Sequence, residues 1–207
     1  MESEVKIKEQ FASYNVNFIV QKKVEQHPEM GRVNGSSLNT LRVYTYRGED
    51  KRIHHLNTTM RFGGAGFVMD NASSGGGFCK VHKDGRVDDR VLGYQRLAVK
   101  SLTVDFGVAD LRIPSYGRVV DATLALHKSL PYFDLIGWDM AVTKIGEPCF
   151  IEFNVLPAVE ISQLAHGPMF GEYLDEVMNR ISVVKKQKTV YSVNKFRPGF
   201  NYMLPIG

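Results

Sequence analysis

Two cysteines in 207 residues, Cys79 and Cys149, are too few and too far apart for a disulfide framework or a zinc site, and both are expected as reduced thiols. No apolar run approaches the roughly 20 residues that cross a bilayer. Met1 is followed by a charged stretch over 2–10 rather than by a signal-peptide apolar core, so the chain reads as cytoplasmic. There is no GxxxxGKS or GxxxxGKT segment, which excludes a P-loop. A dense basic block is missing too: 26 Lys and Arg are spread among 22 Asp and Glu, for a net charge of +4. The richest cluster, Lys185, Lys186 and Lys188, follows a predicted helix, where cations suit the carbonyl end of the dipole. That distribution disfavours nucleic acid, and an anionic small ligand accounts equally well for a modest basic excess.

What is present is an ordinary apolar complement of 43%, enough for one domain with a core or two small lobes. Ser3 to Phe11 predicts a short charged helix. Asn17 to Val24 (NFIVQKKV) predicts a strand in which Phe18, Val20 and Lys22 alternate with Ile19, Gln21 and Lys23. Glu25 to Ser37 carries Pro, Gly and Asn at the density of a long loop or hinge. Leu38 to Tyr46 and Arg52 to Phe62 read as strands of a hairpin, and Phe78 to His82 with the turn Lys83 to Arg86 suggests another. Ser115 is placed to cap a helix running to about Leu130, with Val119, Val120, Leu124, Leu126 and Leu130 near one face and His127 beside it. A second amphipathic helix is expected from Pro168 through Phe170, Tyr173, Leu174, Val177, Met178 and Ile181.

Two stretches carry chemistry. Gly63 to Gly77 holds six glycines in fifteen residues and is either a flexible loop or a place where backbone amides approach a ligand. Leu135 to Pro157 (LIGWDMAVTKIGEPCFIEFNVLP) is two alternating runs around a turn. Ile145 would resist the positive φ of a two-residue primed turn, so a four-residue loop from Lys144 to Glu147 is expected. Opposed residues then sum to 291, pairing Thr143 with Pro148 and Asp139 with Glu152. Strand periodicity adds Asn154 to the same face, while Trp138, Met140, Ile151, Phe153 and Val155 take the core side. Directly opposed carboxylates destabilise a sheet. A magnesium ion, which prefers oxygen ligands and one or two carboxylates, would explain them; a solvated face or a shared proton would too.

Glu152-x-Asn154, thirteen positions after Asp139, resembles the magnesium signature of ATP-grasp enzymes such as D-alanine ligases. QHPEM, SLNTLRVYTYRG, MRFGG, DNASSGGG, GWDMAV, IEFNVLPAVEISQ and HGPMFGEYLDEV follow one another in the order of the sugar-transfer-associated ATP-grasp group, from about Phe18 to about Arg180. The resemblance implies an α+β fold, the largely antiparallel C-terminal domain of an ATP-grasp protein with hairpins and flanking helices. Its expected organisation is an N-terminal helix over 1–16, the metal- and nucleotide-binding domain over 17–183 and an extension over 184–207.

The same resemblance implies an ATP- and magnesium-dependent ligase (manganese could substitute) that activates a carboxylate through an acyl phosphate in polysaccharide or sugar-transfer biosynthesis. Asp139, Glu152 and Asn154 fall on the metal positions. Gln21, Lys23, Val24 and Glu25 fall where adenine and ribose are held, Arg42 and Arg61 where the triphosphate lies, and Asn71 and Gly75 to Gly77, Gly76 among them, near the acceptor. Gln163 and His166 border the site. The expected partners are ATP and a carboxylate-bearing small molecule or sugar-linked acceptor. Two departures stand beside these matches. The chain starts almost at the hinge, so the half that carries the lid lysine is expected from a longer protein or a partner chain. Gly137 replaces the arginine that D-alanine ligases place two residues before the aspartate. The alternative is a non-catalytic nucleotide- or partner-binding module derived from such an enzyme.

Overall fold

Alternating apolar residues along Thr40–Arg47 (β1) and Ile53–Phe62 (β2) pair antiparallel, and every further strand of the sheet joins the same way. The structure, a computed structural model, describes residues 8–9, 11–13, 21–63, 76–95, 98–101, 110–187, 190–192 and 203–205. After the one-turn helix α1 (Pro28–Gly31) come β1, β2, β3 (Gly77–Val81), β4 (Leu92–Gln95), β5 (Ala98–Ser101) and helix α2 (Tyr116–Lys128). The hairpin β6 (Leu135–Val142) and β7 (Pro148–Asn154) is followed by α3 (Glu160–His166), a 3-10 turn at Gly171–Tyr173 and α4 (Leu174–Gln187). A small ribbon, β8 (Val190–Ser192) with β9 (Met203–Pro205), ends the described chain. The main sheet has seven strands in the order β5-β4-β3-β2-β1-β6-β7, so the α+β, largely antiparallel architecture stands.

One face of this sheet is the core. Leu41, Val43, Met60, Cys79, Trp138 and Met140 are buried beneath α2 and the loops that frame it. Helix α2 does not dock through its leucines. Its buried positions are Tyr116, Val119, Thr123 and His127, while Leu126 is exposed. Spacing of three to four residues aligns these four on one stripe. His127 belongs there because its hydrogen bonds close: Trp138 Nε1 donates to Thr45 Oγ1 at 2.7 Å, Thr45 Oγ1 meets His127 Nδ1 at 2.7 Å, and His127 Nε2 meets the Phe133 carbonyl at 2.9 Å. An Nε2-protonated neutral ring satisfies all three, and burial lowers its pKa in keeping with that state. Ser115 occupies the N-cap position at φ 52° but makes no side-chain cap.

The second predicted helix starts later than expected. Glu160–His166 forms a separate short helix, and the long one begins at Leu174 and runs past 183 to Gln187. Gly167, at φ 85°, ends α3 just before Pro168. At the N-terminus residues 8–9 and 11–13 are helical; Gln21–Val24 are not in a strand, and Asn17 to Val20 lie outside the described residues.

The β6–β7 turn also departs from expectation, instructively. It is a three-residue loop, Lys144 to Gly146, closed by Thr143 N to the Glu147 carbonyl at 2.9 Å and by Gly146 N to the Thr143 carbonyl at 2.8 Å. Gly146 at φ 80° takes the left-handed position that follows the tight turn. Near the turn Val142 therefore faces Pro148, whereas Asp139 still faces Glu152, because Ile151 is an extra residue that bulges from β7. A loop one residue shorter and a bulge one residue longer cancel. The bulge has a second effect: Phe150 and Phe153, which strict alternation would put on opposite faces, both lie against Trp138, at 6.2 and 5.8 Å between ring centroids. Because β7 is the sheet edge, Phe153 and Val155 stay 43% and 37% exposed rather than fully core.

Candidate functional site

The face of the sheet away from α2 carries a polar row running straight across five strands. Register pairs Lys80 with Thr59, Thr59 with Arg42, Arg42 with Asp139, and Asp139 with Glu152. Asp139 is 5% exposed at the centre. Arg42 Nε and Nη2 clasp both of its oxygens, the second at 2.8 Å, and Arg61 Nη1 approaches Oδ2 at 3.4 Å. Burial alone would lower the pKa of Arg42, but the hydrogen bond and charge of Asp139 outweigh it and hold the group above the usual arginine range. The premise that Asp139 and Glu152 need a cation between them is thus corrected in part: the repulsion is met first by Arg42, the partner of Asp139 on its other side.

Around this pair three buried polar atoms find no partner among the described residues: Thr59 Oγ1, Arg61 Nε and the amide nitrogen of Asn154. Buried polar atoms are nearly always satisfied, so three on one face of a sheet mark a surface built for a polar ligand. Glu152 is exposed and Asn154 half-buried on that face. The set fits a hard divalent cation in donor chemistry, two carboxylates and an amide oxygen. Among the described residues no group of three or more His, Cys, Asp or Glu is arranged to hold a metal, and both Asp139 oxygens are engaged by Arg42.

The segment after β7 borders the row. Pro157 rests on Gly137, where an added Cβ would lie 2.8 Å from Pro157 Cβ and 3.2 Å from Arg42 Cδ. Tyr44, its pKa raised by burial, donates its hydroxyl to the Ala158 carbonyl, and Ser162 Oγ donates to Asn57 Oδ1 at 2.6 Å. The chain therefore straps over β6, β1 and β2 in turn. Gly137→Ala should cost about 1–3 kcal/mol, since the proline ring cannot swing aside; a urea midpoint equal to that of the parent would show that the strap yields instead.

A family described as sugar-transfer associated ATP-grasp matches residues 8–179. The chain belongs to that family. No curated protein and no solved structure gives a significant match. Membership in the ATP-grasp family supports nucleotide binding, and no helix among the described residues is long and apolar enough to cross a membrane.

In this ATP-grasp chain the remaining sequence-derived candidates scatter. Glu25 lies at the β6–β7 turn, where Lys144 N donates to its carbonyl at 2.7 Å, and Gln21, Lys23 and Val24 precede it outside any helix or strand. Thr143, paired with Gln26, stands four residues along β6 from Asp139, roughly 13 Å at strand rise. Asn71 and Gly75 lie outside the described residues. Gly76 is buried, and Gly77 is glycine for packing, since a Cβ there would meet the Phe62 ring at 2.7 Å. Gln163 is exposed, and His166 meets the Thr58 carbonyl at 2.9 Å. Thr59 and Tyr44 were not singled out from sequence. Register counting from Arg42 would have found Thr59, but the contact of Tyr44 with Ala158 bridges 114 positions and leaves no local signal.

Proposed function

We propose that this sheet face binds the triphosphate of ATP with magnesium and that the protein acts in ATP-dependent activation of a carboxylate, as part of a ligase of sugar-transfer biosynthesis. The observation that carries the reading is the buried Arg42–Asp139 pair flanked by the unsatisfied Thr59 Oγ1, Arg61 Nε and Asn154 amide. Two guanidinium forks and a hydroxyl are suited to phosphate oxygens. A triphosphate competes with Asp139 for the same N–H groups. On this reading, drawing Arg42 and Arg61 onto phosphate frees the Asp139 carboxylate to join Glu152 and Asn154 as the oxygen ligands of magnesium. The ion would supply charge neutralisation on the phosphates. Arg42 and Arg61 would orient the transferred phosphoryl toward the attacking carboxylate, most of the catalysis being positioning. Gln21 and Lys23 to Glu25 remain candidates for the base and ribose, and Asn71 and Gly76 for the acceptor.

Calorimetry with ATP, with and without magnesium, tests this directly. The parent chain should bind ATP more tightly when magnesium is present, and Glu152→Gln should lose most of that magnesium dependence. Equal ATP affinity of the parent, Glu152→Gln and Asp139→Asn in magnesium would remove the metal assignment. No ATP binding by the parent at all would remove the nucleotide reading.

A further inference from the structure

A cleft of about 590 Å³ opens between β2, β3 and the segment from His166 to Tyr173. Its size lies within the roughly 300–1,000 Å³ of small-molecule sites. Its charge is one-sided. Lys80 and Lys83 line it, Glu172 is the single carboxylate on its wall, and neither lysine has an ion pair among the described residues. The neighbouring acids are already committed elsewhere, Asp88 to His82 at 3.1 Å and Asp50 to Arg52 and His54.

The rest of the lining is rich in neutral hydrogen-bonding groups. Asn57 and His166 lie on one wall, where His166 Nε2 meets the carbonyl of Thr58, the residue after Asn57, and the Tyr173 ring lies on the His54 ring, centroids 4.6 Å apart and 33° between planes. Two ammonium groups call for an anion. Amide and imidazole groups at the same wall suit hydroxyls, and a flat aromatic pair suits the C–H face of a sugar ring. We propose that this cleft binds an anionic sugar, a sugar acid or a sugar phosphate, with Lys80 and Lys83 holding its charged group. Of the polar row only Lys80 lines the cleft, three strands away from Asp139, so the assignment stands without that reading.

The test is calorimetry of the full chain with glucuronate, glucose 6-phosphate, glucose and inorganic phosphate. At least one anionic sugar should bind, and glucose and inorganic phosphate should each bind at least tenfold more weakly. Lys80→Gln and Lys83→Gln should each weaken that binding about tenfold, in line with the loss of one charge-assisted hydrogen bond. Lys83→Arg should retain most of it, and saturating ATP with magnesium should change the affinity less than twofold. Preference for glucuronate would identify a carboxylate as the charged group, and preference for glucose 6-phosphate a phosphate. Absence of binding by both anionic sugars, equal binding of glucose or inorganic phosphate, unchanged affinity in both lysine variants, or displacement by ATP would overturn the assignment. Loss of ATP binding with sugar binding intact would count only against the nucleotide reading.

Discussion

Arg42→Met should lower the stability of the chain by about 3–5 kcal/mol, the cost of leaving a buried carboxylate without its main partner. Asp139 is 5% exposed and Arg42 supplies two of its three cationic contacts, so little water can take over the lost bonds. Arg61, at 3.4 Å from Oδ2, can compensate in part and sets the lower end of the range. Asp139→Asn should cost a similar amount from the other side, because it leaves two arginines facing each other without a counter-charge. The double variant Arg42→Met with Asp139→Leu should recover most of the loss, since replacing a whole buried pair by apolar groups is often neutral. Urea titrations of the three variants decide the point. A loss under 1 kcal/mol for Arg42→Met would mean that the pair is hydrated in solution and that Asp139 is available without any competing phosphate.

The same residues show why the sequence was legible in some places and silent in others. The Asp139–Glu152 pairing was readable because strand alternation has period two and a hairpin has local register. That pairing survived two compensating irregularities at Gly146 and Ile151 which no residue pattern announces. Strands β1, β2 and β3 were found within two residues for the same local reason. The pairing of β1 with β6 was not readable, and it is this contact that places Arg42 opposite Asp139 across 97 positions. Without it a metal, a solvated face and a shared proton were the readings open for the opposed carboxylates. His127 was placed only beside the apolar face of its helix, because its full burial depends on Thr45 and the Phe133 carbonyl, partners that helical periodicity does not contain. The helix expected from Pro168 begins only at Leu174, after the turn at Gly171–Tyr173, and the short helix Glu160–His166 that precedes Gly167 was not read at all.

Two half-buried histidines should make the protein acid-labile in a window distinct from that of its carboxylates. Burial lowers His55 and His166 from the usual 6.5 to about 4. An imidazole with a depressed native pKa resists a proton that the unfolded chain accepts, so its contribution is full above pH 6.5 and is lost as pH falls toward 4. Each contributes about 3 kcal/mol at most, and together about 3–5 kcal/mol, since the two rings sit near each other and neither is fully enclosed. The carboxylates held low by hydrogen bonds, Asp50 at about 2 beside Arg52 and Glu176 beside Tyr46, work in the same direction but only below their unfolded values, under about pH 4.5. Urea midpoints measured at pH 7, 6, 5 and 4 should therefore fall steadily through the upper part of the range. His55→Gln with His166→Gln should flatten the slope between pH 6.5 and 5, because a Gln amide can still donate toward the Thr58 carbonyl but does not titrate. An unchanged slope in the double variant would show that the rings are already protonated near pH 6, which would place open water beside them.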